Sequence, residues 1–246
     1  MDCLTGMARI PDQKVDMILC DLPYGITANH WDSVIPFAPL WEQYLRIIKP
    51  TGAIVLTANQ RFTFSLYNSQ PDLYRYKWVW VKNKVTNFVN AHHRPMTSYE
   101  EILVFSKSTT ANNQSNPNLA YYPQGLIPTH KLKTNRPLGE NQLHSSHFTK
   151  HYVQEYTNYP KDTLFFKTEP KTWHPTQKPV ALFEYLIQTY TQPQELVLDN
   201  CIGSGTTAIA CLNTNRQYLG FEKKLQYYQK AQARIRQHNA NQLGLF

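Results

Sequence analysis

LVLDNCIGSGTTAIAC, residues 196–211, joins a short apolar run that ends on an acid to a turn with two glycines and then to a run of small residues. Leu196–Leu198 shows no polar alternation, which is how a strand covered on both faces looks. Gly203 and Gly205 let the backbone turn tightly and let a ligand approach the main chain, and a helix of small residues opens at Thr206. Roughly 20 residues further on, Glu222 follows the next apolar run, Tyr218–Phe221, where an acid can hold the ribose hydroxyls of a nucleoside. The turn lacks the third glycine of GxGxxG, so a dinucleotide phosphate cradle fits it poorly. A tight strand-to-helix turn alone explains the glycines, but it leaves Asp199 and Glu222 at strand ends unexplained.

Working outward, Val15–Cys20 and Ala53–Leu56 read as two more buried strands. Phe183, Leu186, Ile187 and Tyr190 form a helical stripe behind Pro179, a good first-turn residue. Strands alternating with helices predict an α/β protein, doubly wound around a mostly parallel sheet. Lys77–Lys82 and Glu101–Lys107 predict an antiparallel edge, with Trp78 and Trp80 in the core or on the sheet face. From Lys107 to Thr172 the pattern fades into polar residues, with eight Lys/Arg against four Asp/Glu. Tyr121, Tyr122, Tyr152, Tyr156, Tyr159, Phe165 and Phe166 are more aromatics than a solvated linker carries, which predicts a small, irregular, folded insertion. Within it STTANNQSN, 108–116, reads as a mobile loop.

Among 246 residues, 25 Lys+Arg against 17 Asp+Glu give a net charge of +8, which favours a polyanionic partner. An aromatic content of 13% adds faces on which bases can stack. The four cysteines, Cys3, Cys20, Cys201 and Cys211, have no CxxC spacing, so neither structural zinc nor a disulfide framework is expected and a reducing cytoplasm fits best. No apolar stretch is long enough to cross a bilayer and no signal-peptide pattern begins at Met1, so a soluble, unexported protein is expected.

Asp21-Leu22-Pro23-Tyr24 sits just past the carboxyl end of Val15–Cys20, where an interior strand needs neither acid nor proline. In an open parallel sheet ligands bind outside those strand ends, where strand order reverses, so this loop and the glycine turn are expected to face one crevice. Here the chain resembles the DNA amino-methyltransferases that use S-adenosylmethionine. DLPY resembles their D-P-P-Y signature, DNCIGSGTT their cofactor loop, and HPTQKP, 174–179, the segment closing over the methionine end. Catalytic loop first and cofactor loop last resembles the permuted beta group, mostly adenine-N6 enzymes with a Rossmann-like fold. The likeness runs from about Met1 to Lys107 and from Trp173 to Tyr228. Leu22 stands where the family's first proline usually is, a position that contributes a backbone carbonyl.

That resemblance implies a catalytic half (1–106), a target-recognition insertion (107–172) and a cofactor-binding half (173–246). It implies a catalytic set of Asp21, Leu22, Pro23 and Tyr24. The cofactor contacts it implies are Asp21, His174, Thr176, Gln177, Lys178, Pro179, Asp199, Asn200, Cys201, Ile202, Gly203, Ser204, Gly205, Thr206 and Glu222. Met1-Asp2-Cys3 resembles the end of a family strand whose acid contacts the cofactor's adenine, so Asp2 and Cys3 join the set, although that strand is missing or very short here. S-adenosylmethionine would leave as S-adenosylhomocysteine, with no metal. The implied partner is double-stranded DNA in a prokaryotic cytoplasm, with a homodimer and a companion restriction endonuclease as further expectations.

Three secondary readings follow. His174 is read as structural; NAHHRP (90–95) as a surface loop that could touch DNA; and Lys223, Lys224, Lys230, Arg234 and Arg236 as a solvated helix face. Alternatives stay open. Cytosine-N4 methylation uses the same geometry, though such relatives more often carry Ser in place of Asp21. Cytosine-C5 chemistry needs a Pro-Cys nucleophile, absent here. Glutamine-modifying relatives normally carry Asn at that position. A non-catalytic DNA-binding subunit is the alternative from a different class.

Overall fold

The computed structural model describes residues 1–25, 32–110, 118–135, 150–170, 172–174 and 176–242. In chain order the elements are α1 (Cys3–Met7), β1 (Val15–Cys20), α2 (Phe37–Ile47), β2 (Ile48–Ala58), α3 (Arg61–Ser69), β3 (Tyr74–Thr86) and β4 (Thr97–Phe105). There follow β5 (Ile127–Asn135), β6 (Lys150–Thr157), β7 (Thr163–Phe165), α4 (Val180–Tyr190), β8 (Leu196–Asp199), α5 (Thr206–Asn213), β9 (Gln217–Gly220) and α6 (Leu225–Gln242).

Seven strands form one sheet in the order β7-β3-β4-β2-β1-β8-β9. The pairs β2–β1, β1–β8 and β8–β9 are parallel, and β4 runs antiparallel to both β2 and β3. All six residues of β1 are buried because both faces are covered. Ile18 and Cys20 pack with Trp41, Tyr44 and Leu66 of α2 and α3, whereas Met17 and Leu19 pack with Leu182, Leu186 and Cys211 of α4 and α5. The missing polar alternation in VDMILC thus has a direct cause. Trp78 and Trp80 lie in the second of these cores, and each indole N–H finds an acceptor: the Tyr190 hydroxyl at 2.6 Å and the Phe166 carbonyl at 2.8 Å.

Some boundaries differ from the sequence reading. Ala53–Leu56 is only the buried centre of β2, and β9 begins one residue before the apolar run and ends at Gly220. Pro179 stands at the N-cap of α4, one step before the first turn. The stretch 107–172 is not one unit. A separate unit covers Pro123–Lys161 and is built on the antiparallel pair β5–β6, so it contains regular structure. Residues on either side belong to the main unit, because Leu119 and Leu164 are buried with Trp78 and Trp80, and β7 pairs in parallel with β3. Residues 111–117, most of STTANNQSN, lie outside the described residues.

Candidate active site

β1 is the point where strand order reverses: the chain leaves it for β2 on one side, while β8 and β9 lie on the other. Met17 pairs with Val197 and Ile18 with Leu198, so the same register brings Asp21 and Cys201 out side by side at the carboxyl edge. Asp16 fixes this register from within β1 by accepting the Leu196 N–H at 2.9 Å. Between the two loops lies a cavity of about 280 Å³. Its walls include Asp21–Tyr24, Asp199–Ser204, Thr206, Glu222, His174, Thr176, Lys178, Asp2 and Cys3. Gln177, Pro179 and Gly205 are not among the lining residues. Pro175, inside HPTQKP, lies outside the described residues.

Asp21 is held from three sides. The Tyr24 hydroxyl lies 2.8 Å from Asp21 Oδ1, Thr57 at the end of β2 donates to the same oxygen, and Lys178 Nζ donates to Oδ2 at 2.8 Å. Lys178 also lies 3.2 Å from Glu100, which pairs with Lys82 at 3.0 Å. Two acids and two lysines thus alternate in a largely buried chain: Asp21, Lys178, Glu100, Lys82. Burial alone would lower the pKa of Lys178, but the facing carboxylates of Asp21 and Glu100 outweigh it and hold the ammonium well above its usual range. Burial would likewise raise Glu100, but Lys178 and Lys82 bring its carboxyl below the usual value.

Tyr24 stacks on Phe62 of α3, with ring centroids 4.8 Å apart and planes at 26°. Burial, reinforced by Asp21 and Glu100, keeps its phenol protonated well beyond the usual range, so it acts as a neutral donor. Nothing in the sequence marked Phe62 or Glu100. Phe62 reaches the loop only because α3 starts at the carboxyl end of β2, and Glu100 only through the register of β4.

The glycine turn is pinned by its own acids. Gly203 and Gly205 have φ of 45° and 79°, a region side chains rarely occupy. Glu222 accepts the Gly203 N–H at 3.1 Å and the Lys224 N–H at 2.7 Å. Asp199 accepts the Cys201 N–H at 3.0 Å and the Thr207 hydroxyl, so both its oxygens serve the loop itself. Asn200 accepts the Tyr44 hydroxyl at 2.5 Å, which ties the loop to α2.

Burial lifts the Asp199 carboxyl from 3.8 to about 6, with Thr207 and Cys201 only partly offsetting it. A raised carboxyl stabilises the fold fully below the ordinary carboxylate pKa and loses that contribution as pH rises through the folded value. Asp199→Asn keeps the neutral shape, with Thr207 free to accept. It is expected to raise stability at pH 7.5 by about 2 kcal/mol and to flatten the decline between pH 4 and pH 7, which urea midpoints at several pH values would measure.

Two sequence readings need correction. Asp2 does not end a strand: it caps α1, accepting the Leu4 N–H at 3.0 Å, because a short acid there satisfies a helix N–H left without an internal partner. Arg234 is not on a solvated face. It donates to the Ser204 carbonyl at 3.0 Å and lies 3.2 Å from the Thr206 hydroxyl, bracing the glycine turn from α6. The cysteines, scattered in sequence, partly gather: Cys3, Cys20 and Cys201 interact beside the turn, and burial pushes Cys20 up to about 12. Among the described residues no group of three or more His, Cys, Asp or Glu is arranged to hold a metal. His174 is buried against Tyr227, and burial keeps its imidazole below the ordinary pKa, so it is neutral.

A doubly wound sheet whose reversal point opens onto a cavity with a glycine turn and a strand-end acid defines a nucleoside-binding α/β protein. More narrowly, the chain belongs to the DNA methylase family, whose model matches residues 15–233. It is 25% identical to the type II methyltransferase M1.MboII of Moraxella bovis over 98% of this chain and 96% of that protein. It is 23% identical to the type II methyltransferase M.HpaI of Haemophilus parainfluenzae over 95% and 72%. Among solved structures, the M1.HpyAVI–SAM complex matches with a TM-score of 0.59 and 25% identity, covering 95% of this chain and 96% of that one. The cytosine-N4-specific PvuII DNA methyltransferase shares the fold with a TM-score of 0.65 and 15% identity, covering 98% and 90%.

Proposed function

We propose that the protein transfers a methyl group from S-adenosylmethionine to the N6 amine of adenine in a nucleotide flipped out of double-stranded DNA. The observation that carries this reading is the shared cavity, which Asp21 lines together with Gly203 and Glu222. An exocyclic amine is a poor nucleophile because its lone pair is delocalised into the ring. Asp21 and the Leu22 carbonyl accept its N–H bonds and help the nitrogen pyramidalise as it attacks. When bound, S-adenosylmethionine supplies a methyl carbon activated by cationic sulfur. In that transfer the N–C bond would form as C–S breaks, with the bonding pair kept by sulfur, and Asp21 would pass the surplus amine proton to water. Pro23 stiffens the loop, and Tyr24, stacked on Phe62 with the Lys178 ammonium 5.7 Å from its ring centre, offers the base a flat aromatic surface. Lys178 orients Asp21 from the side opposite Tyr24 and Thr57.

The cofactor site fits the group that this reading needs. Glu222 stands just past β9 for the ribose hydroxyls, Asn200–Ser204 and Thr206 wrap the nucleoside side, and Asp2 and Cys3 lie at the adenine edge. His174, Thr176 and Lys178 stand towards the methionine end. Asp21, where cytosine-N4 relatives more often carry Ser, favours adenine. Single-molecule sequencing of DNA from cells expressing the protein tests the choice of base and returns the recognition site. N6-methyladenine at one fixed motif is expected; N4-methylcytosine alone would overturn adenine. A protein that binds DNA but shows no affinity for S-adenosylmethionine would be the non-catalytic subunit instead.

Target recognition is assigned to the insertion at 107–172, with the unit Pro123–Lys161 as its reading element. Exchanging 107–172 for the corresponding segment of a relative should move methylation to a different motif. An unmoved motif would place recognition elsewhere. A homodimer and a companion endonuclease accompany this reading as further proposals. Sedimentation of the purified protein tests the first, and DNA cleavage by the product of a neighbouring gene tests the second. No helix among the described residues is long and apolar enough to cross a membrane.

A further inference from the structure

The hairpin joining β3 to β4 carries a surface that methyl transfer itself leaves unused. Because β4 runs antiparallel to both β3 and β2, and β2 parallel to β1, β3 leaves the sheet at the same edge as the Asp21 loop. Its root is tied to that loop by the chain Lys82–Glu100–Lys178–Asp21, at 3.0, 3.2 and 2.8 Å. Its tip is an ordered turn. Asn87 has φ of 72°, and its side-chain oxygen accepts from Asn90 Nδ2 at 2.7 Å and from Arg94 Nη2 at 3.1 Å.

On that turn Phe88 is 78% exposed and Val89 91% exposed, with Val85 and Met96 also exposed in the same hairpin. Residues 82–96 contain no acid, whereas Lys82, Lys84, Arg94, His92 and His93 lie among them. Adjacent large apolar side chains held out into water, on a fixed turn with cations on both flanks, suit a polyanion with an apolar interior. Duplex DNA has that character: its phosphates attract the cations, and its base steps admit apolar wedges.

We propose that this tip enters double-stranded DNA, that Phe88 and Val89 wedge into the base stack and fill the space left by the extruded nucleotide, and that Lys84 and Arg94 hold flanking phosphates. The wedge presupposes the DNA methylation proposed above. Extruding a paired base is costly, and a mismatched base costs less to extrude. The contribution of a wedge should therefore fall when the target is already unpaired.

The test uses a duplex carrying the motif returned by sequencing, with 2-aminopurine in place of the target adenine, and the double variant F88A/V89A. The variant is expected to lose most of the wild-type fluorescence rise and to methylate the matched adenine duplex on the order of 10–100-fold more slowly, as loss of an unstacking wedge predicts. It should keep its affinity for S-adenosylmethionine and regain near wild-type rates on a duplex whose target faces an abasic site. Undiminished fluorescence and rate, equal loss on both duplexes, or dissociation of a dimer in place of any extrusion defect would each overturn the wedge. A wild-type protein that methylates no DNA would instead remove the functional reading on which the wedge rests.

Discussion

Asp21→Ala is expected to lower the methylation rate by about three orders of magnitude while leaving the dissociation constant for S-adenosylmethionine within about 3-fold of wild type, since positioning and electrostatic stabilisation supply most of such accelerations. The carboxylate accepts from Tyr24, Thr57 and Lys178 at the edge of the cavity, whereas the glycine turn is braced independently by Glu222 and Asp199. The substitution also strips Lys178 of one of two carboxylate partners. Removing one member of a buried ion pair can cost about 3–5 kcal/mol, but Glu100 remains, so a smaller loss is expected. Asp21→Asn separates the two effects. It preserves the shape and one acceptor, so it should melt closer to wild type yet remain defective in turnover. Wild-type kcat in either variant, measured with saturating DNA and cofactor, would remove Asp21 from the chemistry.

Glu222→Ala should do the reverse. It takes away the acceptor assigned to the ribose hydroxyls and releases the Gly203 N–H that Glu222 holds at 3.1 Å. Hydrogen bonds to charged groups contribute about 1.5–3 kcal/mol each, so the cofactor's dissociation constant should rise about 10–100-fold, read by titration calorimetry. At saturating cofactor, kcat should stay near wild type because Asp21 is untouched. An unchanged dissociation constant would exclude Glu222 from the binding site.

What the sequence revealed and what it hid divide along physical lines. Runs such as VDMILC and LVLD are visible because strands buried on both faces need apolar residues at nearly every position. The glycine turn is visible because its positive φ values favour one residue type. The convergence of the two loops followed from a rule about parallel sheets, and the shared cavity shows these segments together. The limits of the insertion were hidden, because Leu119 and Leu164 are single apolar residues in polar surroundings whose burial depends on distant partners. MDC suggested a strand end because a helix as short as α1 has no periodicity to read, and its cap is a lone aspartate. Lys178 was placed at the cofactor through its motif, yet its nitrogen pairs with Asp21 and Glu100, contacts made 157 positions away and across the β4 register. The gathering of Cys3, Cys20 and Cys201 left no trace in their spacing.

The adjacency of β1 and β8 bears on how the molecule comes into being. Asp16 and Leu196 are 180 positions apart, and their hydrogen bond sits at the base of the two loops. Contacts closed over so long a stretch of chain form late, because the entropy of bringing the ends together must be met before pairing can reward it. During synthesis the Asp21 loop therefore emerges long before its counterpart and waits, without a crevice, until about the last fifth of the polypeptide arrives. A fragment ending before α4 would have the catalytic signature and no chemistry, and activity should return only when the missing C-terminal portion docks beside β1.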